Sequence, residues 1–293
     1  MTIRQDVLRA LCFYDAIGYP PTWAEVQAAA DRGCGEDAAT EMLLEAPVLL
    51  TRGRVVFKGR ESLIEVHERR ERLLARKLRR ARLVTRWLVR LGGVRFVAIC
   101  NTTALAHADE EGDLDFFMIV RAGSLWQTRG WSALPFKLFG LRPTTVEAKD
   151  AVCLSFFVDD TALDLAPLAL AGDDVYLRHW FLSLLPLYDD GVSTLFWEQN
   201  KKLRQSHPNA HPWLVHPRLC VKRPFWRIPF FQTAEMLAHR MQERVLSPDI
   251  RRQMNQGTHV VVTDHVLKFH VGDGREAYRQ ACLERCQRYG VAS

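Results

Sequence analysis

The spacing of apolar residues predicts one long helix followed by a small sheet. Across residues 60–91, apolar side chains recur every three to four positions, which is the period of a helix that buries one face. Residues 94–100, 114–120 and 151–158 are short apolar runs of the length that is typical of buried strands. A helical pattern around residues 125–138 separates the last two runs. We therefore expect an α+β fold with a small mixed sheet.

The first 60 residues have the pattern of a separate domain. Helical periodicity covers residues 5–17, and Thr22 with Glu25 three positions later predicts a capping box that opens a second helix. A third helix is predicted at residues 35–44 and a two-stranded hairpin at residues 48–57. Three helices followed by a hairpin indicate a winged-helix-like domain.

The predicted third helix argues against duplex DNA as a partner of this domain. In a DNA-binding winged helix the third helix enters the major groove, close to the phosphates. Here the helix and its C-terminal end carry no Lys or Arg but four acidic residues, Glu36, Asp37, Glu41 and Glu45. The hairpin turn adds only Arg52 and Arg54. We expect a packing or protein-contact role instead.

The residues beyond 165 are predicted to form a mostly helical C-terminal region. Helical patterns cover residues 174–186, 192–205, 233–245 and 275–290. Residues 260–263 are apolar and β-branched, but the run is too short to place in the fold. The predicted divisions are a winged-helix-like domain (1–60), a connecting helix (61–92), a core of strands and helices (93–165) and a helical C-terminal domain (166–293).

Composition indicates a protein with substantial cores and no membrane association. The chain has 293 residues, of which 48% are hydrophobic. It has no apolar run near the roughly 18 residues that cross a bilayer. The N-terminus lacks the apolar core of a signal peptide, and the seven cysteines are scattered and odd in number, as suits a reducing compartment. We expect a cytoplasmic protein.

Positive charge is concentrated on the predicted long helix. Residues 61–90 contain ten Lys or Arg against four Glu, while the whole chain carries a net charge of +6. A basic ridge is predicted along this helix, formed by Arg69, Arg70, Arg72, Arg76, Lys77, Arg79, Arg80, Arg82 and Arg86. Two interpretations stay open: a solvated face with Glu–Arg pairs, or a surface for a phosphate-bearing partner such as nucleic acid or a nucleotide triphosphate.

The strongest chemical signal is the pair Asp113 and Asp115 at the start of the strand predicted for 114–120. Residues two apart in a strand point to the same side, so that the two carboxylates would lie together. Two like charges in one place are costly unless a cation lies between them. Mg²⁺ is commonly bound by one or two carboxylates together with substrate phosphates. The spacing therefore predicts a divalent metal site.

The order of these elements resembles a known superfamily. An apolar strand, the small polar loop Asn101-Thr102-Thr103, and then Asp113-Leu114-Asp115 opening the next strand resemble the DNA polymerase β-like nucleotidyltransferases. More closely, the chain resembles a group of uncharacterised bacterial proteins that join an N-terminal winged helix to such a core. That resemblance is carried by residues 8–21, 123–129, 149–157 and 269–275. It implies a nucleotidyltransferase core at 93–165.

The resemblance also implies a reaction and its residues. Mg²⁺ or Mn²⁺ on Asp113 and Asp115 would assist the in-line attack of an acceptor on the α-phosphate of a nucleoside triphosphate, with loss of pyrophosphate. Asn101, Thr102 and Thr103 with the loop amides would hold phosphates, and Arg129 and Lys149 are candidates to clamp them. The acceptor stays open among a small molecule, a protein and RNA.

Two departures from the superfamily pattern bear on turnover. Asn101-Thr102 replaces Gly-Ser, although Asn tolerates a left-handed backbone and Thr keeps a hydroxyl. The usual third carboxylate is replaced by Ser155, with Asp150 or Asp159 as alternatives and His107 as an alternative base. A catalytically degenerate nucleotide-binding or scaffold protein is therefore the main alternative. A nucleic-acid-binding regulator that works through the basic ridge is a weaker one.

Overall fold

The computed structural model of the protein describes residues 3–30, 47–138 and 149–291. Its helices are α1 (Ile3–Ala16), α2 (Trp23–Ala29), α3 (Ser62–Leu88), α4 (Asn101–Ala104), α5 (Leu125–Leu138), α6 (Val175–Leu182), α7 (Ser193–Gln199), α8 (Lys201–Arg204), α9 (Gln232–Arg244), α10 (Pro248–Gln253) and α11 (Arg275–Arg288). Its strands are β1 (Val48–Thr51), β2 (Arg54–Phe57), β3 (Val94–Ile99), β4 (Leu114–Val120), β5 (Val152–Asp159), β6 (Leu185–Asp189), β7 (Val260–Val262) and β8 (Val266–Phe269). None of the described helices is long and apolar enough to span a bilayer.

Six strands form one mixed sheet in the order β6-β3-β4-β5-β8-β7. The central pair, β4 and β5, is parallel, and the other neighbouring pairs are antiparallel. A parallel pair needs a crossover, and α5, which packs on β5, lies in that connection. Because β4 and β5 run in the same direction, the start of β4 lies beside the start of β5.

The sheet is covered on both faces, and each face has its own core. Alternate residues of β4 point to opposite sides: Phe116 and Met118 pack on the face covered by α3 and α5, while Phe117 and Ile119 pack on the face covered by α6 and α7. This alternation places Asp115, two residues before Phe117, on the α6/α7 face.

A third core attaches the N-terminal segment to the end of the chain. Helices α1 and α2 and the β1–β2 hairpin bury their apolar side chains against α11. Asp15 at the end of α1 accepts hydrogen bonds from Arg60 (2.7 Å) and from Arg285 (2.5 Å) of α11. The N-terminal segment is therefore packed on the body of the protein.

Local predictions for the described residues up to 165 are largely confirmed. The capping box is formed, with the Glu25 backbone N–H donating to the Thr22 hydroxyl (3.2 Å) and the Thr22 N–H donating to the Glu25 carboxylate (2.7 Å). The hairpin, the long helix and the strands β3, β4 and β5 form close to their predicted bounds. The predicted third helix at 35–44 lies outside the described residues, so the winged helix stays a prediction.

The helical prediction for residues beyond 165 was incomplete. Three of the six sheet strands, β6, β7 and β8, come from this region. The helix predicted at 174–186 ends at Leu182, and residues 185–189 form a strand paired with β3. Pro186 lacks a backbone N–H, which suits the edge position that β6 occupies. The short run at 260–263 finds its place as β7, paired with β8.

Candidate metal centre

Asp113, Asp115 and Cys153 meet where β4 and β5 begin. Asp113 directly precedes β4, Asp115 is its second residue, and the Cα of Asp115 is paired with that of Cys153 on β5. One ligand atom from each residue, two carboxylate oxygens and the Cys153 Sγ, lie within 4.8 Å of one another. The predicted carboxylate pair is thus brought together, with a thiol beside it.

The electrostatics of this cluster favour a cation. Burial, and then the charge of Asp113, raise the pKa of Asp115 to about 6. Burial also raises the pKa of Asp113, and burial with both carboxylates raises that of the Cys153 thiol. Among the residues that the structure describes, no Lys or Arg forms an ion pair with either aspartate. A bound divalent cation would offset the cost of burying these carboxylates and the repulsion of Asp115 by Asp113.

Asn101 positions Asp115. Its φ of 57° is in the left-handed region, where Asn is better tolerated than other residues that carry a Cβ. The Asn101 Nδ2 donates to the Asp115 carboxylate (2.7 Å), and its Oδ1 accepts from the Tyr176 hydroxyl (3.2 Å). The neighbouring Thr102 is exposed, whereas Thr103 is only 2% exposed. Of the two threonines, Thr102 is the one open to a ligand.

A cleft of about 300 Å³ opens beside Asp115 and Cys153 on the α6/α7 face. Its opposite wall includes Lys268 and Arg275, but these cations are buried and already paired. Lys268 binds Asp273 (2.9 Å), and Arg275 binds both Asp273 (2.8 Å) and Asp174 (2.6 Å). The cleft is therefore lined by these paired cations and by the Asp115 carboxylate, which forms no ion pair within the described part of the chain.

An aromatic pocket adjoins this cleft. It is lined by Phe13 and Tyr14 of α1 and shares Asn101, Tyr176 and Tyr278 with the cleft. The rings of Tyr176 and Tyr278 are stacked, with centroids 5.0 Å apart. The N-terminal segment thus forms one wall of a pocket next to the carboxylates, which the sequence did not predict.

Ser155 and His270 form a second polar contact in the cleft. The Ser155 hydroxyl lies 3.2 Å from His270 Nε2, and the Cys153 thiol donates to the Ser155 oxygen at 3.4 Å. Burial lowers the pKa of His270 to about 4, so that its imidazole is neutral at neutral pH. Sequence reasoning did not single out His270, although it lies in the 269–275 stretch that carried the resemblance.

The two alternative third carboxylates are engaged elsewhere. Asp150 forms ion pairs with Lys77 (3.0 Å) and Arg76 (3.4 Å) of α3. Asp159 is fully buried at the far end of β5 and pairs with His265 (2.8 Å). At about 3.3 Å per residue, the far end of the strand is roughly 20 Å from Cys153. Asp159 is therefore excluded as a ligand of an ion on Asp115.

Arg129, Lys149 and His107 are not brought to the carboxylates. The guanidinium of Arg129 lies 4.4 Å from the ring centroid of Phe269, which packs on the opposite α3/α5 face. Lys149 is paired with Glu110 (3.0 Å) and Glu111 (3.3 Å). His107 is buried against His67, with their Nδ1 atoms 3.1 Å apart, and burial lowers its pKa to about 4.

Part of the predicted basic ridge contacts and stabilises the loop before Asp113. Lys77 is fully buried and donates to the Gly112 carbonyl at 2.6 Å, so that it does not belong to an exposed ridge. Arg70 binds Asp109 (2.9 Å), and Arg76 binds Glu110 (3.5 Å) in the same loop. These contacts fix the segment that leads into β4. Four of the predicted arginines are fully exposed, namely Arg69, Arg72, Arg79 and Arg86.

Comparison with known proteins identifies no family for this chain. No protein-family model matches the chain, and neither the curated proteins nor the solved structures contain a match. Two carboxylates and a thiol at a cleft can bind a divalent cation and, through it, an anionic ligand.

Proposed function

We propose that the protein is a metal-dependent nucleotidyltransferase that transfers a nucleoside monophosphate from a triphosphate to an acceptor. The observation that carries this proposal is the pair Asp113 and Asp115, part-buried and without a basic ion-pair partner in the described residues, beside an open cleft. Structural carboxylates inside proteins are normally paired with cations. A pair left without one, at the position that the sequence motif predicts, supports a site for Mg²⁺ or Mn²⁺.

The surrounding residues support a nucleotide as the ligand of that cation. Asn101 holds the Asp115 carboxylate in place, and the exposed hydroxyl of Thr102 next to it is free to donate to a phosphate. The stacked Tyr176 and Tyr278 rings offer an aromatic surface for a base. The cation, when bound, would neutralise charge on the transferring and leaving oxygens.

The experiment is incubation with each of the four nucleoside triphosphates and Mg²⁺ or Mn²⁺, with pyrophosphate release and intact protein mass as readouts. We expect at least one triphosphate to release pyrophosphate with the wild-type protein and none to do so with the double variant Asp113→Asn, Asp115→Asn. Asp249→Asn, an exposed carboxylate on α10, is the matched control. Equal release by wild type and double variant would contradict the proposal.

A second candidate is a nucleotide-binding or scaffold protein without turnover. It is favoured by the thiol of Cys153 and the hydroxyl of Ser155 where the resemblance leads us to expect a third carboxylate. That carboxylate would normally help to activate the attacking group. Metal-dependent triphosphate binding without pyrophosphate release, lost in the double aspartate variant, would select this candidate over the transferase.

A further inference from the structure

Cys153 occupies the place where a third metal ligand is needed. In the parallel pairing of β4 with β5 it lies directly opposite Asp115, and its Sγ lies within 4.8 Å of an oxygen of each aspartate. Two ligand atoms on opposite sides of one ion are at most about 4.5 Å apart, from typical metal–sulfur and metal–oxygen bond lengths. Small rotations of the three side chains therefore bring all three atoms onto one ion.

Other candidate donors are less well placed. The Ser155 hydroxyl lies farther along β5 and is directed to His270. Asp150 already forms ion pairs with Lys77 and Arg76. Among the described residues, Asp113, Asp115 and Cys153 form the one group of three or more acidic, His or Cys side chains with this ligand spacing.

We propose that Cys153 is the third ligand of the Asp113/Asp115 site, so that the site prefers a borderline cation such as Co²⁺ or Zn²⁺ to Mg²⁺. This inference rests on the proposed function, since it names the ion of the same site. Mg²⁺ is bound by oxygen donors and has little affinity for sulfur, whereas thiolates select softer ions. Binding forms a metal–sulfur bond, and the thiol proton is released to solvent.

Co²⁺ is a spectroscopic probe that distinguishes sulfur ligands from oxygen ligands. A Co²⁺–thiolate bond gives an intense charge-transfer absorption that Co²⁺ bound by carboxylates lacks. We expect this band when Co²⁺ is added to the wild-type protein and its loss in Cys153→Ser. The control Cys220→Ser removes a partly exposed thiol away from the cluster and should keep the band. Circular dichroism checks that each variant is folded.

Calorimetric titration measures the affinity of the site for each metal ion and therefore its preference between Zn²⁺ and Mg²⁺. Loss of the thiolate in Cys153→Ser should weaken Zn²⁺ binding by about tenfold or more and leave Mg²⁺ binding unchanged. Cys153→Asp restores a third carboxylate and should reverse the order, with tighter Mg²⁺ and weaker Zn²⁺ binding. This second variant keeps the test valid if the serine variant does not fold.

The outcomes distinguish this inference from the proposed function. An unchanged charge-transfer band in Cys153→Ser, or equal Zn²⁺ affinity in wild type and both variants, would overturn the role of Cys153. The Asp113/Asp115 metal site would then have oxygen ligands only, and the proposed function would be unaffected. Wild-type protein that binds none of Mg²⁺, Mn²⁺, Co²⁺ and Zn²⁺ would overturn the metal site and the proposed function together.

Discussion

Two acidic clusters face the same cleft, and they differ in what balances their charge. Asp174 and Asp273 are almost completely buried, yet Arg275 and Lys268 pair with them inside the protein. Asp115 accepts a hydrogen bond from Asn101 and lies with Asp113 beside the Cys153 thiol, but neither aspartate forms an ion pair among the described residues. The first pair is almost completely buried, whereas the second is part-buried at the edge of the cleft.

The comparison shows how to tell a structural acidic cluster from a candidate metal site. A cluster that holds the fold together carries its own cations, because an unpaired buried charge is strongly destabilising. A cluster that binds an external cation keeps its charge uncompensated and accepts some cost in stability. By this criterion the Asp174/Asp273 cluster belongs to the fold, and Asp113/Asp115 is the candidate for function.

The largest expected effect comes from removing the cation of the structural cluster. Arg275→Met leaves Asp273 with Lys268 as its remaining ion-pair partner and Asp174 with none among the described residues. We expect a loss of about 3–5 kcal/mol in the free energy of unfolding, as when one partner of a buried ion pair is removed. Urea denaturation measures it. A loss below about 1 kcal/mol would show that the cluster does not need its internal cation.

The buried histidines His67 and His107 extend the comparison to groups that are positively charged when protonated. The His107 pKa of about 4 lies below the unfolded value of 6.5, so the neutral form stabilises the fold above pH 6.5. That stability is lost as the pH falls from 6.5 through 4, by about 3 kcal/mol for His107 alone. His107→Asn should flatten the pH dependence over this window. The exposed control His211→Asn should follow wild type, and an equally steep profile in His107→Asn would refute the assignment.

Asp115, a candidate metal ligand, should behave in the opposite way to the Asp174/Asp273 cluster. The Asp115 pKa of about 6 lies above its unfolded value of 3.8, so the stability it contributes below pH 3.8 is lost as the pH rises through 6. Without metal, Asp115→Asn should therefore stabilise the protein at pH 7, by about 1–2 kcal/mol, and be neutral near pH 4. Thermal or urea unfolding in the presence of a chelator measures this difference in stability between the variant and the wild type. Strong destabilisation at pH 7 would make Asp115 a structural residue.

The smallest expected effect concerns duplex DNA. Arg52 at the hairpin turn is paired with Glu68 of α3 (3.2 Å), and Arg54 lies 3.7 Å from Glu25. Paired surface arginines contribute little to phosphate binding. Arg52→Ala should leave any duplex DNA affinity and its salt dependence unchanged in a fluorescence anisotropy titration. A weaker affinity with a shallower salt slope would show that the hairpin contacts the DNA backbone.

Local features of the site could be predicted from the sequence, whereas its third member could not. The i, i+2 spacing at the start of a strand was enough to place Asp113 and Asp115 together, and the left-handed backbone that Asn101 adopts is one that Asn tolerates. Cys153 depends on the register between β4 and β5, which includes an irregularity after Asp115. A shift of one residue would turn the thiol to the other face, and the sequence does not show that register.

The same limit explains the residues that sequence reasoning misplaced. Arg129 and Lys149 lie at suitable distances along the chain, but α5 covers the face of the sheet opposite the carboxylates and carries Arg129 with it. Strand β6 was missed because its apolar run directly continues the pattern of α6. In each case the deciding contact joins segments that are distant in sequence.

The most direct test of the central claim is a calorimetric titration of the metal-free protein with Mn²⁺ at neutral pH. The wild-type protein should bind Mn²⁺ at a site that is lost in the folded double variant Asp113→Asn, Asp115→Asn and kept in Asp249→Asn. Manganese is the suitable ion because it accepts carboxylate ligands whether or not Cys153 contributes. Equal binding by the wild type and the double variant, or no binding by the wild type, would contradict the account.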